Sequence, residues 1–396
     1  MQICVLQEQL SRIVTRASRF LLSKPQTPDQ AAISLQVEGN LLKLSTENPS
    51  STYSAHISSI TSSSTHTDTS TTPTKSAKST KSTQTATSTK SIDGAVAVPG
   101  RELQAIISSI RPGEISLTLK DQALHITGGG VSASLAVFER IEISPIQLTN
   151  SFTVSQESLE ALVDAGALSA GVDETRPAFS SMKLEIAPSE FSIVSTDGFR
   201  LSKATTSIKK GLEQQSVVLP ARTAKEAMKT ILEHEGDVVT ICVDESRVLF
   251  AKGDEFVGVR RLSIDYPNYS AIIPAKFAVI IDASAEELLH AVRAATAIDK
   301  IAARQQVVRF HFDRSELLVK SNKQSAGEVE VQVDIQAQAP YDPMEIAFNS
   351  AFLSPILQYL GKETAVIELN EAMKPVRITK KNETSFFAII MPFRAQ

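Results

Sequence analysis

The chain has 396 residues, of which 42% are hydrophobic and 5% aromatic, and its formal net charge is −4. This length predicts roughly two to four domains with aliphatic cores, while a charge so near neutral is by itself no argument for nucleic-acid binding. Two widely separated cysteines, Cys4 and Cys242, exclude a disulfide framework or a cysteine-based zinc motif and favour a reducing compartment. Since the N-terminus lacks a secretion signal and no apolar run could span a membrane, we expect a cytoplasmic protein without membrane contact.

The strand and helix that start the chain recur twice further along. In each copy, an alternation of period two, typical of a strand, changes to the spacing of an amphipathic helix. Ser155 stands at the N-cap position of the second helix start, and Ser284 with Glu287 has the spacing of a capping box in the third. The apolar positions that define the copies are Ile3, Val5, Leu10, Ile13, Val14 and Ala17; Phe152, Val154, Leu159, Leu162 and Val163; and Val279, Ile281, Leu288, Val292 and Ala295.

A hairpin, a second helix and further strands follow each start. The second helices come after Val98-Pro99, Leu219-Pro220 and Phe348-Asn349, and a glycine is predicted to end each of them, at Gly113, Gly236 and Gly361. Pro355 lies inside the last of these helices, where it predicts either a kink or a later start.

Each third of the chain thus predicts two helices and roughly eight strands in one order, which is the pattern of an internal repeat. Helices with one apolar face can cover the apolar side of alternating strands. We therefore predict an α+β fold of three repeated domains, each with two helices packed on antiparallel sheets. The predicted domains are residues 1–149, 150–275 and 276–396.

A stretch from about Ser58 to Ser91 interrupts the first copy. It consists almost entirely of serine and threonine with a few lysines, so it cannot bury enough apolar area to offset its chain entropy. We expect a disordered, solvated insertion between two strands. A loop that touches DNA or a partner is the alternative.

Basic residues recur on the polar faces of several helices. Any one of these faces taken alone is typical of ordinary solvated helix surface. Their repetition favours a surface that attracts duplex phosphates without reading bases, and the absence of interleaved aromatic residues argues against single-strand stacking. The basic positions are Arg12, Arg16 and Arg19; Arg222, Lys225 and Lys229; and Arg293, whereas the first helix of the second copy is acidic, with Glu157, Glu160 and Asp164.

No motif for catalysis, metal or cofactor binding is found. The six histidines show no metal-ligand spacing, and Gly128-Gly129-Gly130 lies between strands, where a turn is expected and not a phosphate loop. Asp197, in Ser195-Thr196-Asp197-Gly198, is interpreted as a turn residue, because Asp-Gly after a strand favours a turn and no second carboxylate is placed beside it. We therefore predict that the protein is not an enzyme.

Three short motifs together resemble one family. They are Ser195-Thr196-Asp197-Gly198-Phe199-Arg200-Leu201; Asp265-Tyr266-Pro267-Asn268-Tyr269 followed by Ile272-Ile273-Pro274; and Ile390-Met391-Pro392-Phe393-Arg394. With their order and the threefold repeat, the chain is similar to the beta subunit of bacterial DNA polymerase III, the sliding clamp, over its whole length except the Ser/Thr-rich stretch.

The resemblance implies a function without chemistry. It implies a head-to-tail homodimer that closes as a six-domain ring around double-stranded DNA and acts as a processivity factor. It also implies partners, namely a clamp loader, the replicative DNA polymerase and other proteins that carry clamp-binding peptides. These would dock in a pocket between the second and third domains.

The family's pocket can be carried over residue by residue. Phe199 stands where the family often has histidine or another polar residue, which predicts a more apolar floor. Lys24 matches a basic loop residue that approaches DNA in the family. The implied pocket residues are Phe179 as one wall; Thr196, Gly198, Phe199, Arg200 and Leu201 as the floor; Pro267 and Ile272 from the boundary motif; and Asn349, Phe352, Met373, Pro375, Ile390, Met391, Pro392, Phe393 and Arg394 on the far side.

Two other classes of protein stay open at this point. The Ser/Thr-rich stretch and the many strands would also suit a repeat-built adhesion protein, although the missing secretion signal and the basic helices argue against it. An enzyme with an unrecognised site is the third class. A clamp differs from both because it should stay on circular DNA and slide off linear DNA.

Overall fold

The computed structural model describes residues 1–60, 91–139, 149–297, 307–314, 316–321 and 327–393. By their internal contacts they divide into two compact units, one of Met1–Ile146 with Asp254–Phe256 and the other of Gln147–Gly253 with Val257–Gln396. Most of the predicted Ser/Thr-rich insertion, residues 61–90, lies outside the described residues, so its disorder stays a prediction. The boundaries of the three predicted domains stay a prediction as well.

One order of elements, βαββββαβββ, occurs three times in the described part of the chain. The predicted repeat and α+β class are therefore confirmed. The first copy consists of β1 (Gln2–Leu6), α1 (Gln7–Ser18), β2 (Ala32–Glu38), β3 (Leu41–Glu47), β4 (Ser51–Ser58), β5 (Gly94–Pro99), α2 (Gly100–Ser109), β6 (Glu114–Lys120), β7 (Ala123–Gly128) and β8 (Val131–Ala136). The second consists of β9 (Ser151–Ser155), α3 (Gln156–Gly166), β10 (Ser181–Ile186), β11 (Glu190–Thr196), β12 (Arg200–Ser207), β13 (Gln215–Pro220), α4 (Ala221–Leu232), β14 (Val238–Val243), β15 (Arg247–Lys252) and β16 (Glu255–Arg260). The third consists of β17 (Val279–Ser284), α5 (Ala285–Thr296), β18 (Val307–Phe312), β19 (Glu316–Lys320), β20 (Glu330–Ala337), β21 (Met344–Asn349), α6 (Ser350–Leu360), β22 (Thr364–Leu369), β23 (Val376–Lys380) and β24 (Phe386–Ile390). Short 3₁₀ helices span Pro28–Ala31 and Tyr269–Ile272.

In the first unit, two antiparallel sets of strands carry the helices α1 and α2. The strand orders are β1-β6-β7-β8 and β5-β2-β3-β4. The apolar stripe of α1, including Leu10 and Ile13, is fully or almost fully buried, as are Leu103 and Ile107 of α2. The two helices contact each other, and Gln7 donates a side-chain hydrogen bond to the carbonyl of Ile107 at 2.9 Å. Burial of these apolar faces holds the helices on the sheets.

In the second unit, one sheet runs through two copies of the repeat. Its order is β13-β10-β11-β12-β24-β23-β22-β17-β20-β19-β18-β21, and a separate set has the order β16-β15-β14-β9. The link between the copies is the antiparallel pair of β12 and β24, which runs from Arg200 opposite Ile390 to Ala204 opposite Phe386. Helix α3 packs on α4, and α5 packs on α6.

The predicted helix starts are confirmed. Ser155 Oγ accepts a hydrogen bond from the backbone N–H of Ser158 at 3.2 Å, and Ser284 Oγ accepts one from the N–H of Glu287 at 3.3 Å. Both hydroxyls satisfy donors that a helix N-terminus leaves unpaired.

Two of the three predicted helix ends were wrong. Gly361 is the C-cap of α6, with φ 62°, but α2 and α4 end at Ser109 and Leu232, before their glycines. In α2 the chain leaves the helix at Ile110, which is extended and buries its side chain. Helix α6 starts at Ser350, ahead of Pro355, so the later start was also wrong; Asn349 Oδ1 accepts the N–H of Ala351 and caps the helix there.

No helix in the described ranges combines the length and the apolar character that crossing a bilayer demands.

Candidate functional site

Pairing of β12 with β24 brings the first and third sequence motifs together. Arg200 lies opposite Ile390, and Leu201 lies opposite Ile389. Just beyond the strands, the backbone N–H of Met391 donates to the carbonyl of Phe199 at 2.9 Å. Segments almost 200 positions apart in the chain thus form one surface.

The turn between β11 and β12 is held by its own side chains. Asp197 Oδ1 accepts the backbone N–H groups of Phe199 and Arg200 at 2.9 and 3.0 Å, and Arg200 Nε donates to Asp197 Oδ2 at 2.9 Å. Gly198 has φ 91°, and a Cβ there would lie 3.1 Å from Cε1 of Phe179. Asp197 therefore shapes the turn, as the sequence predicted.

The boundary motif packs directly beneath this surface. Tyr269 is buried with Val194, Leu201 and Ile389, and partly buried side chains of the motif, including Tyr266, pack against that cluster. Burial raises the pKa of the Tyr266 hydroxyl, which donates to the carbonyl of Val194 at 3.3 Å. All three sequence motifs consequently meet in one place.

Several large apolar side chains of the predicted pocket are exposed. Four of the eight exposed large hydrophobic residues in the described part of the chain belong to the predicted pocket: Phe199 at 56%, Ile272 at 40%, Met373 at 50% and Met391 at 36%. A backbone hydrogen bond joins Met391 to Phe199, Ile272 ends the 3₁₀ helix whose Tyr269 is buried in the cluster above, and Met373 lies three residues before β23, which pairs with β24. Because exposed apolar residues that belong to one region mark an interaction site, we call these four residues the apolar patch.

Aromatic rings flank the apolar patch. Phe199 stacks on Phe352, with 6.0 Å between ring centroids and 16° between ring planes, and the Arg200 guanidinium lies 4.9 Å from the centroid of Phe352. Phe179 faces the turn through Gly198 and is covered on another side by Arg176, 4.3 Å from its centroid. The predicted floor of the pocket therefore carries a stacked aromatic pair, as expected from phenylalanine in place of a polar residue at position 199.

The remaining predicted pocket residues have varied surroundings. Thr196, Leu201 and Ile390 are buried, so they support the surface from below. Asn349 caps α6, and Phe393 donates its backbone N–H to the carbonyl of Ala347 at 2.7 Å. Pro267, Pro375 and Pro392 are half-buried, and Arg394 lies outside the described residues.

The predicted basic helix faces are less uniform than the sequence suggested. Arg12 on α1 and Arg19, the residue that caps its C-terminus, are exposed, but Arg16 is 5% exposed and its Nη1 lies 2.5 Å from Glu255 Oε1. A buried, paired guanidinium cannot reach DNA phosphates. Arg16 is therefore a structural residue, and its place in the predicted DNA-facing set is wrong.

Helix α4 is partly neutralised by its neighbour α3. Lys229 Nζ lies 3.2 Å from Asp164 Oδ1, and both side chains are about half exposed. Burial, together with the nearby charge of Lys229, lowers the pKa of the half-buried Lys225. Arg222, Arg293 and the loop residue Lys24 are exposed.

Sequence reasoning missed Arg101, at the start of α2. Its Nη2 donates to the carbonyl of Ser23 at 2.8 Å and so holds the loop that carries Lys24. Its only signal in the sequence was its position just after the predicted Pro99 helix start. The residues described here include no group of three or more His, Cys, Asp or Glu side chains arranged to hold a metal.

Comparison with known proteins identifies the family. The model of the DNA polymerase III beta subunit central domain matches residues 153–268, and that of its C-terminal domain matches residues 270–394. Together they cover more than half of the chain. The chain belongs to the DNA polymerase III beta subunit family. The predicted resemblance is confirmed, and the chain is a sliding clamp, a processivity factor and not an enzyme.

Curated relatives and solved structures agree with this membership. The beta sliding clamp of Synechococcus elongatus is 26% identical over 314 residues, which cover 76% of this chain and 82% of the relative. The fold is that of two solved structures. The DNA polymerase III beta subunit of Thermotoga maritima has a TM-score of 0.85 at 21% identity, with 100% of both chains covered. The sliding clamp of Bacillus subtilis has a TM-score of 0.86 at 18% identity, again with 100% of both chains covered.

Proposed function

We propose that two copies of this clamp join head to tail, as a closed ring around double-stranded DNA in the cytoplasm, and that the apolar patch binds short peptide segments of its partners. The partners include the clamp loader, the replicative DNA polymerase and other DNA-acting proteins. The ring needs no chemistry of its own, because a closed ring cannot leave a circular duplex. We divide the chain into domains at 1–149, 150–275 and 276–396. The central-domain model begins at residue 153, just after the first proposed boundary, and the two family models meet between residues 268 and 270, a few residues before the second.

The DNA-facing part of the proposal rests on exposed basic residues. Phosphate contacts of this kind are non-specific and weaken steeply with salt, which suits a sliding protein. Arg16 is left out because it is buried and paired. The proposed DNA-facing residues are Arg12, Arg19, Lys24, Arg222, Lys225, Lys229 and Arg293.

The observation that carries the peptide-binding part is the apolar patch beside the β12–β24 pair. Apolar residues in contact with a few polar groups can anchor peptide side chains and orient them. The patch offers that combination, since Phe199 and Met391 lie at the turn that Asp197 and Arg200 hold together. The other pocket residues are proposed as its walls and supports.

Ile272 and Met373 give the sharpest test of the patch, because both side chains are exposed and their substitution should leave the folded core unchanged. We expect Ile272→Ser and Met373→Ser to weaken binding of the replicative polymerase from the same organism by surface plasmon resonance. Val238→Ser, at an apolar residue that is 52% exposed outside the patch, should leave binding unchanged. Equal effects at all three positions would contradict the proposed site.

Ring closure has its own test. The clamp, loaded with its clamp loader, should be retained on nicked circular DNA in gel filtration and lost after the circle is cut. Equal retention on circular and linear DNA would contradict a ring, whatever the outcome at the patch.

A further inference from the structure

Phe352, on which Phe199 stacks, also lies over the guanidinium of Arg200, and one nitrogen of that guanidinium makes no hydrogen bond in the described residues. Nη1 of Arg200 is buried and has no hydrogen-bond partner in the described residues, although Nε of the same side chain is bound to Asp197. The face of Phe352 lies over the guanidinium at 4.9 Å. Attraction between cation and ring offsets part of the cost of a buried donor, but the N–H groups stay unsatisfied.

Phe199 is the ring that can move. Its backbone is held on both sides, by Asp197 Oδ1 at its N–H and by the Met391 N–H at its carbonyl. Its side chain is 56% exposed, whereas Phe352 is half-buried on helix α6. Rotation about χ1 can therefore swing the Phe199 ring into solvent without moving the turn.

We propose that the Phe199–Phe352 stack is the closed state of the peptide pocket, and that a bound peptide displaces the Phe199 ring and accepts a hydrogen bond from Arg200 Nη1. This inference rests on the proposed peptide-binding function. An apolar peptide side chain takes the place of Phe199 on the face of Phe352. A peptide oxygen, from a backbone carbonyl or a terminal carboxylate, accepts the hydrogen bond that Arg200 Nη1 lacks.

The closed state competes with the peptide, so within the apolar patch Phe199 acts as a lid, and Ile272, Met373 and Met391 are the residues left to contact the peptide. When only a fraction of the protein is open, the apparent affinity falls by that fraction. A stacked aromatic pair of ordinary strength corresponds to a factor of about 2 to 10. Phe199→Ala should therefore tighten binding of the replicative polymerase by about that factor, whereas a wall residue would weaken binding when truncated.

The absence of tryptophan from this chain allows a direct measurement of the lid. In Phe199→Trp, the introduced indole is the only one, and its emission should shift towards that of exposed tryptophan as N-acetyl-leucyl-phenylalanine is added. This probe carries apolar side chains and contains no tryptophan. Val238→Trp, at an exposed residue outside the patch, should show no shift.

The acceptor is tested with the free acid and the amide of the same probe, titrated into wild type and Arg200→Lys. The ammonium group of lysine lacks the rigid fork that holds Nε on Asp197 while Nη1 points elsewhere, so the variant should bind at least one form several-fold more weakly. Weaker binding of both forms identifies a backbone carbonyl, and weaker binding of the acid alone identifies a carboxylate. Asp197→Asn controls for disturbance of the turn.

The proposal is overturned if Phe199→Ala weakens polymerase binding, if the Phe199→Trp emission does not respond, or if Arg200→Lys binds both probe forms as wild type does. The first and third of these results leave peptide binding itself intact, and a silent Phe199→Trp emission overturns the lid when the same titration shows that the probe binds wild type. If wild type fails to bind the polymerase at all, it is the proposed function that fails.

Discussion

Arg16 and Glu255 form a buried ion pair in the first unit, with 2.5 Å between Nη1 and Oε1 and no more than 6% of either side chain exposed. Tyr53 completes the group, since its hydroxyl donates to Glu255 Oε2 at 3.0 Å. Burial, followed by the charge and hydrogen bond of Glu255, raises the pKa of Tyr53, so its hydroxyl stays protonated. A residue on an apparently basic helix face is thus part of the core.

Breaking this pair should destabilise the protein. Glu255→Ala leaves the buried guanidinium of Arg16 without its carboxylate, which costs about 3–5 kcal/mol. Urea unfolding at neutral pH measures the decrease in the free energy of unfolding. Arg12→Ala, at an exposed position of the same helix, should change stability by less than about 0.5 kcal/mol. Similar stabilities for Glu255→Ala and wild type would contradict the structural role of Arg16.

Removal of exposed basic residues should flatten the salt dependence of DNA binding. Arg12→Ala, Arg222→Ala and Arg293→Ala should each lower the slope of log K against log salt by up to about 0.9, because each removes one cation that pairs with a phosphate. The decrease should be the same for any duplex sequence, because phosphates carry no sequence information. Fluorescence anisotropy with labelled duplex at several salt concentrations checks this, with Lys210→Ala in the β12–β13 turn as the control.

Release of Lys229 should strengthen DNA binding. Asp164→Asn removes the carboxylate that lies 3.2 Å from Lys229 Nζ, and the freed ammonium can pair with a phosphate. The half-exposed pair contributes at most about 1 kcal/mol to folding, so stability should barely change while the salt slope steepens. If Asp164→Asn binds DNA no better than wild type, α4 does not face the duplex.

Ionisation of Glu185 should make the free energy of unfolding depend on pH in the acid range. Burial alone would raise its pKa, but hydrogen bonds from Lys203, Tyr269 and Lys183 outweigh burial and lower the pKa from 4.5. A carboxylate with a lowered folded pKa stabilises the protein above its unfolded pKa, and this contribution is lost as pH falls through the folded pKa.

Glu185→Gln should therefore lower the free energy of unfolding by about 1–3 kcal/mol at pH 7. The difference in free energy of unfolding between variant and wild type should narrow as pH falls below 4.5. Urea unfolding across that pH range measures both effects. Glu190→Gln, at an exposed residue of the neighbouring strand β11, is the matched control. A gap that stays constant with pH would show that ionisation of Glu185 is not involved.

Local patterns were enough to predict the repeated architecture. Alternation at Ile3 and Val5 and the helical spacing of Leu10 and Ile13 depend on which face of an element is apolar, and both periods are set by backbone geometry. The N-caps at Ser155 and Ser284 were predictable for the same reason, because a cap bonds to a backbone group only a few residues away.

The pairing of distant segments was decided by the tertiary structure. Glu255 is 239 positions from Arg16, and no spacing on α1 distinguishes the arginine that meets a buried carboxylate from those that meet water. Likewise, only the register of β12 with β24 brings Met391 to Phe199. Periodicity reports which side of an element is polar, whereas the partner of a polar or aromatic side chain depends on how distant segments pack once the chain has folded.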